Sequence, residues 1–259
     1  MRILRLATSD DVRPTVADHE RGYHIVERAL AAETGEDVET IMREIWPDPE
    51  LPDVLGRWIE RFEPEVVSLK VSSFWFTYES VPQRFRGLPL VGRHLAAAGL
   101  TAAGTPWIGH SAPFDAARNL ARRVVGSAIY FTPAQVLEVM AECLRRIVRE
   151  EGLLVVVRGP LIAEIRGCSK ALQARGEQRR QEVDRAVGRL CAELHVHYTG
   201  CREAPPFCDV QRWRGPDRLH LNAEGQRRVG LEEADAMLAA WRHSKGGDQP
   251  LYLESRAVT

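Results

Sequence analysis

The segment from Pro216 to Gly225 contains an aspartate and a histidine three residues apart, Asp217 and His220. It lies between glycine and proline residues and runs into Asn222, a residue type that favours the N-cap of a helix. This separation lets the carboxylate accept the imidazole Nδ1–H, which fixes the tautomer and leaves Nε2 facing a nucleophile. The spacing therefore indicates two members of a Ser-His-Asp triad. A salt-linked capping loop without a catalytic role is the alternative.

The stretch Asp217-x-x-His220-Leu-Asn-Ala-Glu-Gly-Gln resembles the last conserved block of the SGNH/GDSL hydrolases. In that family the nucleophilic serine follows the first strand in a Gly-Asp-Ser motif. The resemblance implies that Ser9 is the nucleophile, although it stands here in Ala-Thr-Ser. A serine hydroxyl reacts only when a neighbouring base removes its proton, so Ser9 would need His220 within reach. The alternative for the residues around Ser9 is that they only cap a turn.

The resemblance also implies a set of oxyanion donors: the serine N–H, a glycine N–H after the second strand and an asparagine side chain after the third. Loss of one such donor lowers the rate on the order of 10²- to 10³-fold. Here Pro47-Asp48-Pro49 follows the second strand and Val71-Ser72-Ser73-Phe74 follows the third. We expect the Asp48 N–H and the hydroxyls of Ser72 and Ser73 to act in their place.

Other side chains near these segments could shape the site. Asp10 and Asp11, directly after Ser9, would add negative charge beside an oxyanion. Aromatic residues follow the third strand, and they are Phe74, Trp75, Phe76 and Tyr78. We expect Trp75 to contact the substrate, while core packing beneath a lid, the more frequent role of such a cluster, is the alternative.

Strand and helix patterns alternate along the chain and predict how these residues are positioned. Strands are expected at 2–7, 38–46, 66–71, 153–157 and 195–198. Helices are expected at 18–34, 51–62, near 90–99, 114–125, 132–151, 177–194 and 222–241. This alternation predicts a three-layer α/β/α sandwich with a five-stranded parallel sheet, which the resemblance identifies as a flavodoxin-like SGNH hydrolase fold. The site would lie at the carboxyl ends of the strands.

The chain of 259 residues is consistent with one domain. We expect a single SGNH hydrolase-like domain over residues 1–243. A proline- and glycine-rich insertion at about 76–131 would act as a helical lid that sets substrate choice. Residues 244–259 would form a flexible tail.

Charge and composition exclude several classes of function. The net charge of -1 gives no field that would attract nucleic acid or an anionic membrane. No apolar run is long enough to span a bilayer, and no export signal is present, which predicts a cytoplasmic protein. Five scattered cysteines are typical of reduced thiols. The spacing of His195, His197, Cys201 and Cys208 fits no common structural zinc pattern, and the sequence has no Gly-rich phosphate loop, so neither a metal nor a cofactor is expected.

We therefore expect a serine hydrolase that cleaves a carboxylic ester and whose partner is a small ester or acylated molecule. Two alternatives use the same fold: a non-catalytic binding protein and an acyltransferase with the same triad. A third is an unrelated doubly wound domain in which the Asp217–His220 pair is structural. The sequence does not determine the oligomeric state.

Overall fold

A computed structural model of the chain describes residues 1–12, 16–85, 112–161, 169–200, 211–215 and 220–246. Asp217 lies outside the described residues. So do the helix expected near 90–99, the middle of the expected lid and the tail from residue 247 onward.

A five-stranded parallel sheet forms the middle layer. Its strands are β1 (Arg2–Ala7), β2 (Glu39–Glu44), β3 (Val66–Lys70), β4 (Leu154–Arg158) and β5 (His197–Thr199). They follow the order β2-β1-β3-β4-β5, with every neighbouring pair parallel. This flavodoxin-like order confirms the predicted fold, and it places the topological switch point between β1 and β3.

Helices cover both faces of the sheet, and five of them overlap closely with the helices expected at 18–34, 51–62, 114–125, 132–151 and 222–241. The helices of the described residues are α1 (Ser9–Val12), α2 (Gly22–Thr34), α3 (Leu51–Phe62), α4 (Phe74–Thr77), α5 (Val81–Phe85), α6 (Ala112–Val125), α7 (Pro133–Ile147), α8 (Lys170–Glu193) and α9 (Ala223–Ser244). The short helices α1, α4 and α5 were not predicted. Single 3₁₀ turns lie at Asp18–Glu20 and Gln211–Trp213. No helix in these ranges is both long and apolar enough to cross a membrane.

Helix α8 begins at Lys170 rather than near 177, because Ser169 caps it and accepts a hydrogen bond from the Leu172 N–H at 3.3 Å. The helix continues through Gly176, where a methyl group would stand 3.4 Å from Cβ of Thr77. The close approach of α4 explains why a glycine is accommodated within this helix.

Alternation along the strands divides the core into two clusters, one on each face of the sheet. On the first face, Leu4, Leu6 and Val67 are fully buried against α3, α7 and α8. On the second face, Ile3 and Val66 pack against α2 and α9. Burial of each large apolar side chain stabilises the fold by about 1.5–3 kcal/mol, so the two clusters hold the three layers together.

The second face becomes polar toward the carboxyl ends of the strands. Arg5, Ser68, Lys70 and Arg158 share that face and are nevertheless at most 7% exposed. Buried charges are tolerated only when they are paired, so these side chains need partners at this edge of the sheet.

Candidate active site

Ser9 opens the single turn α1 at the carboxyl end of β1. The Thr8 carbonyl closes this turn by accepting hydrogen bonds from the N–H groups of Asp11 at 2.9 Å and Val12 at 3.3 Å. Ser9 is half-buried and lines a cavity at the edge of the sheet. The expected position of Ser9 next to the switch point therefore agrees with where ligands bind in doubly wound sheets.

His220 lies on the loop that precedes α9 and is 7% exposed. Its carbonyl accepts a hydrogen bond from the Gly215 N–H at 2.8 Å, which closes the loop on itself. Asn222 caps α9 as expected, since its side-chain oxygen accepts from the Gly225 N–H at 2.9 Å. Leu221, the neighbour of His220, lines the same cavity as Ser9.

Asp10 joins the two segments that carry Ser9 and His220. Its Oδ1 accepts a hydrogen bond from the Leu221 N–H at 2.9 Å, and its carbonyl accepts one from Nε2 of Gln226 at 2.8 Å. Arg214 lies 3.8 Å from its second carboxylate oxygen. Asp10, which follows Ser9, is thus hydrogen-bonded directly to Leu221, which follows His220. Ser9 and His220 therefore lie at the same edge of the sheet.

The other expected site residues divide into two groups. Ser72 and Ser73 line the cavity together with Ser9. Asp48 is exposed and donates its N–H to the Trp46 carbonyl at 2.8 Å, and it does not line this cavity. Trp75 is 2% exposed and belongs to the core of the first face. The structure therefore brings together three of the predicted serines but neither Asp48 nor Trp75.

Beneath the Ser9 turn lie four buried charges, Arg5, Asp11, Lys70 and Glu233, which we call the buried quartet. The Arg5 guanidinium donates to both Glu233 oxygens at 2.6 and 2.8 Å, and to Asp11 Oδ1 at 3.0 Å. The Lys70 ammonium donates to the same Asp11 oxygen at 2.7 Å and lies 3.7 Å from Glu233. The other Asp11 oxygen accepts from the Thr8 N–H at 3.2 Å, which ties the quartet to the turn.

The quartet keeps both of its acids ionised. Burial alone would raise the pKa of Asp11, but the charges of Lys70 and Arg5 outweigh burial and hold that pKa well below its usual value. The pKa of Glu233 is likewise lowered, because Arg5 and Lys70 outweigh the opposing effect of burial. The negative charge of Asp11 is therefore balanced beneath the turn. Asp11 would therefore add no unbalanced negative charge beside an oxyanion.

The buried quartet was not predicted from the sequence, although two charged residues within apolar strands pointed to it. Arg5 and Lys70 interrupt apolar strands, and a cation inside a buried strand requires a buried carboxylate. Glu233 lies on the buried side of α9, whereas its neighbour Glu232 reaches solvent. The pairing of Arg5 with Glu233 joins residues 228 positions apart, which no local pattern reveals.

Two thiols can be set aside as nucleophiles. Cys143 and Cys191 are fully buried in the core of the first face. Burial raises the pKa of each thiol to about 12, so neither would supply a thiolate near neutral pH. The hydroxyl groups among the described residues that line the cavity belong to Thr8, Ser9, Ser72 and Ser73.

A scan against protein-family models and a sequence search of curated proteins both find no match. Solved structures do match. The structure of TesA superposes with a TM-score of 0.55 at 14% identity, over 93% of this chain and 99% of that one. An aryl esterase from M. smegmatis superposes with a TM-score of 0.52 at 16% identity, over 92% of this chain and 99% of that one.

A protein from Slackia heliotrinireducens, assigned to the SGNH hydrolases, superposes with a TM-score of 0.50 at 15% identity. The match covers 92% of this chain and 98% of that protein. At such identities the likeness concerns the path of the backbone and not individual side chains. The strand order, the helical layers and these superpositions together establish that the chain has the SGNH/GDSL hydrolase fold.

Proposed function

We propose that the protein is a serine hydrolase that cleaves a carboxylic ester, with Ser9 as nucleophile, His220 as general base and Asp217 as the carboxylate that orients His220. One observation carries the proposal: the hydrogen bond from the Leu221 N–H to Asp10, which couples the chain neighbours of His220 and Ser9 at the carboxyl edge of the sheet. The aryl esterase among the structural neighbours supports the same class of reaction.

In this mechanism the Ser9 hydroxyl attacks the ester carbonyl carbon while His220 takes its proton. The tetrahedral intermediate collapses, and His220 returns the proton to the departing alcohol. Water, activated by His220, then attacks the acyl group on Ser9 and releases the acid. Ser72 and Ser73 line the cavity beside Ser9 and are our candidates to donate hydrogen bonds to the oxyanion.

The activity test uses the purified protein and p-nitrophenyl acetate, with and without a short alcohol as acyl acceptor. We expect hydrolysis that follows protein concentration and that falls by 10³-fold or more in His220→Ala, because the base activates the nucleophile. Formation of the acetylated alcohol in preference to acetate would identify the acyltransferase alternative. Absence of both products would contradict the proposal and favour the non-catalytic alternative.

Asp10 provides a second test. Asp10→Ala removes the acceptor of the Leu221 N–H and is expected to lower kcat by about 10- to 150-fold, since a hydrogen bond to a charged group is worth about 1.5–3 kcal/mol. Asp10→Asn retains an acceptor oxygen and should recover most of that loss. Glu224→Ala, an exposed acid on the first turn of α9, is the matched control and should leave kcat unchanged. Equal kcat for wild type and Asp10→Ala would show that this bond does not position the site.

A further inference from the structure

We infer that an aromatic wall formed by Trp46, Phe74, Tyr78 and Tyr130 binds an aromatic ring carried by the ester substrate. This inference rests on the proposed function and names the class of substrate. The wall differs from the site residues expected from sequence, because Trp46 and Tyr130 come from outside the aromatic run that follows β3.

The wall lies above the end of the strand that leads to Ser9. Trp46 follows β2 and Phe74 follows β3, and these two strands flank β1 on either side. Strands two places apart in a sheet are separated by about 9.6 Å. The ring centroids of Trp46 and Phe74 are only 6.4 Å apart, edge to face. The two rings therefore converge toward each other across the carboxyl end of β1.

Two tyrosines extend the same surface. Tyr130 contacts both rings, with centroid distances of 5.6 Å to Trp46 and 5.3 Å to Phe74. Tyr78 stacks on Phe74 at 4.8 Å. These distances lie within the range of favourable aromatic contacts, so each ring restricts the orientation of the next. The result is a pre-organised surface rather than a set of independent side chains.

Helix α4 separates aromatic residues that support the core from those that face the site. Trp75 and Phe76 are 2% and 0% exposed and pack in the core. Phe74 and Tyr78, four residues apart, share the other side of the turn and are only partly buried. Trp75 and Phe76 thus supply the core contacts of this turn, and Phe74 and Tyr78 contribute to the wall.

The wall meets the cavity at Phe74 and is open to solvent at Trp46. Phe74 lines the same cavity as Ser9, Ser72 and Ser73. Trp46 is 37% exposed, whereas the other three rings of the wall are half-buried, so Trp46 is the most exposed ring of the wall. A planar aromatic ring would gain edge and stacking contacts here that an alkyl chain cannot make, which is why we commit to an aromatic group as the occupant.

The test compares Trp46→Ala with wild type on two pairs of esters. The ratio of kcat/KM for phenyl acetate over ethyl acetate reports a ring on the alcohol side. The ratio for methyl phenylacetate over methyl acetate reports a ring on the acyl side. We expect one of these ratios to fall about tenfold in the variant, and the ratio that falls identifies which side of the ester contacts the wall.

Trp241→Ala is the matched control, because Trp241 lies about 27 Å along α9 from the end of that helix nearest the cavity. It should leave both ratios unchanged. The inference is wrong if neither kcat/KM ratio falls in Trp46→Ala. It is also wrong if a ratio falls as much in Trp241→Ala as in Trp46→Ala.

A binding measurement separates this inference from the proposed activity. Saturation-transfer NMR with phenol, and with ethanol as the non-aromatic reference, needs no catalysis. The phenol signal should be present for wild type and Trp241→Ala and should be strongly reduced for Trp46→Ala. A protein that hydrolyses no ester but gives this pattern would retain the aromatic site without the hydrolase function. An unchanged phenol signal in Trp46→Ala would overturn the aromatic site whatever the activity.

Discussion

Ser9→Ala is expected to reduce ester hydrolysis by about 10⁴-fold or more, because the remaining side chains can bind and polarise the ester but cannot form the acyl-enzyme. The measurement is the steady-state rate of p-nitrophenyl acetate hydrolysis, from which the turnover numbers of wild type and variant are compared. Turnover of Ser9→Ala within tenfold of wild type would remove Ser9 from the mechanism.

Ser72→Ala serves as the graded comparison for Ser9→Ala. Ser72 lines the same cavity, and loss of one oxyanion donor is expected to lower kcat by no more than about 10²- to 10³-fold. Both substitutions remove a single hydroxyl from a partly buried position, so we expect the free energy of unfolding to change by about 0.5 kcal/mol or less in each. A larger loss for Ser72→Ala than for Ser9→Ala would reverse their assigned roles.

Glu233→Gln is expected to lower the free energy of unfolding by about 3 kcal/mol, because it leaves the buried Arg5 with only part of its countercharge. For a chain of this size, that loss corresponds to a decrease of about 6–12 °C in Tm. Glu232→Gln is the matched control on the same helix. Glu232 also pairs with a buried arginine, Arg158, but it is 43% exposed and should cost less than about 1 kcal/mol. Equal losses of stability in the two variants would contradict the account of the quartet.

The quartet also predicts how stability responds to acid. Asp11 and Glu233 have pKa values below those they would have in the unfolded chain, where carboxyl groups titrate at about pH 4. The folded state therefore binds fewer protons than the unfolded state once the pH falls toward that value. Their contribution to stability is complete above about pH 5 and is lost progressively below it. Chemical denaturation between pH 3 and pH 7 should show a shallower acid loss in Glu233→Gln than in wild type, and parallel curves would contradict the assignment.

The fold was accessible from the sequence because hydrophobic periodicity is local. The strand at Arg2–Ala7 and the helix at Leu51–Phe62 are where their patterns place them. Asn222 caps α9 through the contact that its residue type predicts. In each case the decisive information lies within a few consecutive residues.

The candidate site was less accessible because its arrangement depends on contacts between distant segments. The negative charge of Asp10 is unfavourable beside an oxyanion, yet its carboxylate accepts a hydrogen bond from the Leu221 N–H, 211 positions away. The place of Asp48 after β2 predicts an oxyanion donor, but a short turn directs its N–H to the Trp46 carbonyl. Trp75 and Phe74 are adjacent in sequence, and only the geometry of α4 decides which faces the core.

The most direct test of the proposed chemistry is labelling with a fluorophosphonate, which reacts with an activated serine hydroxyl, followed by mass spectrometry of the labelled peptide. We expect a single phosphonylated residue, Ser9, with labelling abolished in Ser9→Ala and slowed at least 10²-fold in His220→Ala. Absence of labelling in folded wild-type protein, or labelling at a different residue, would contradict it.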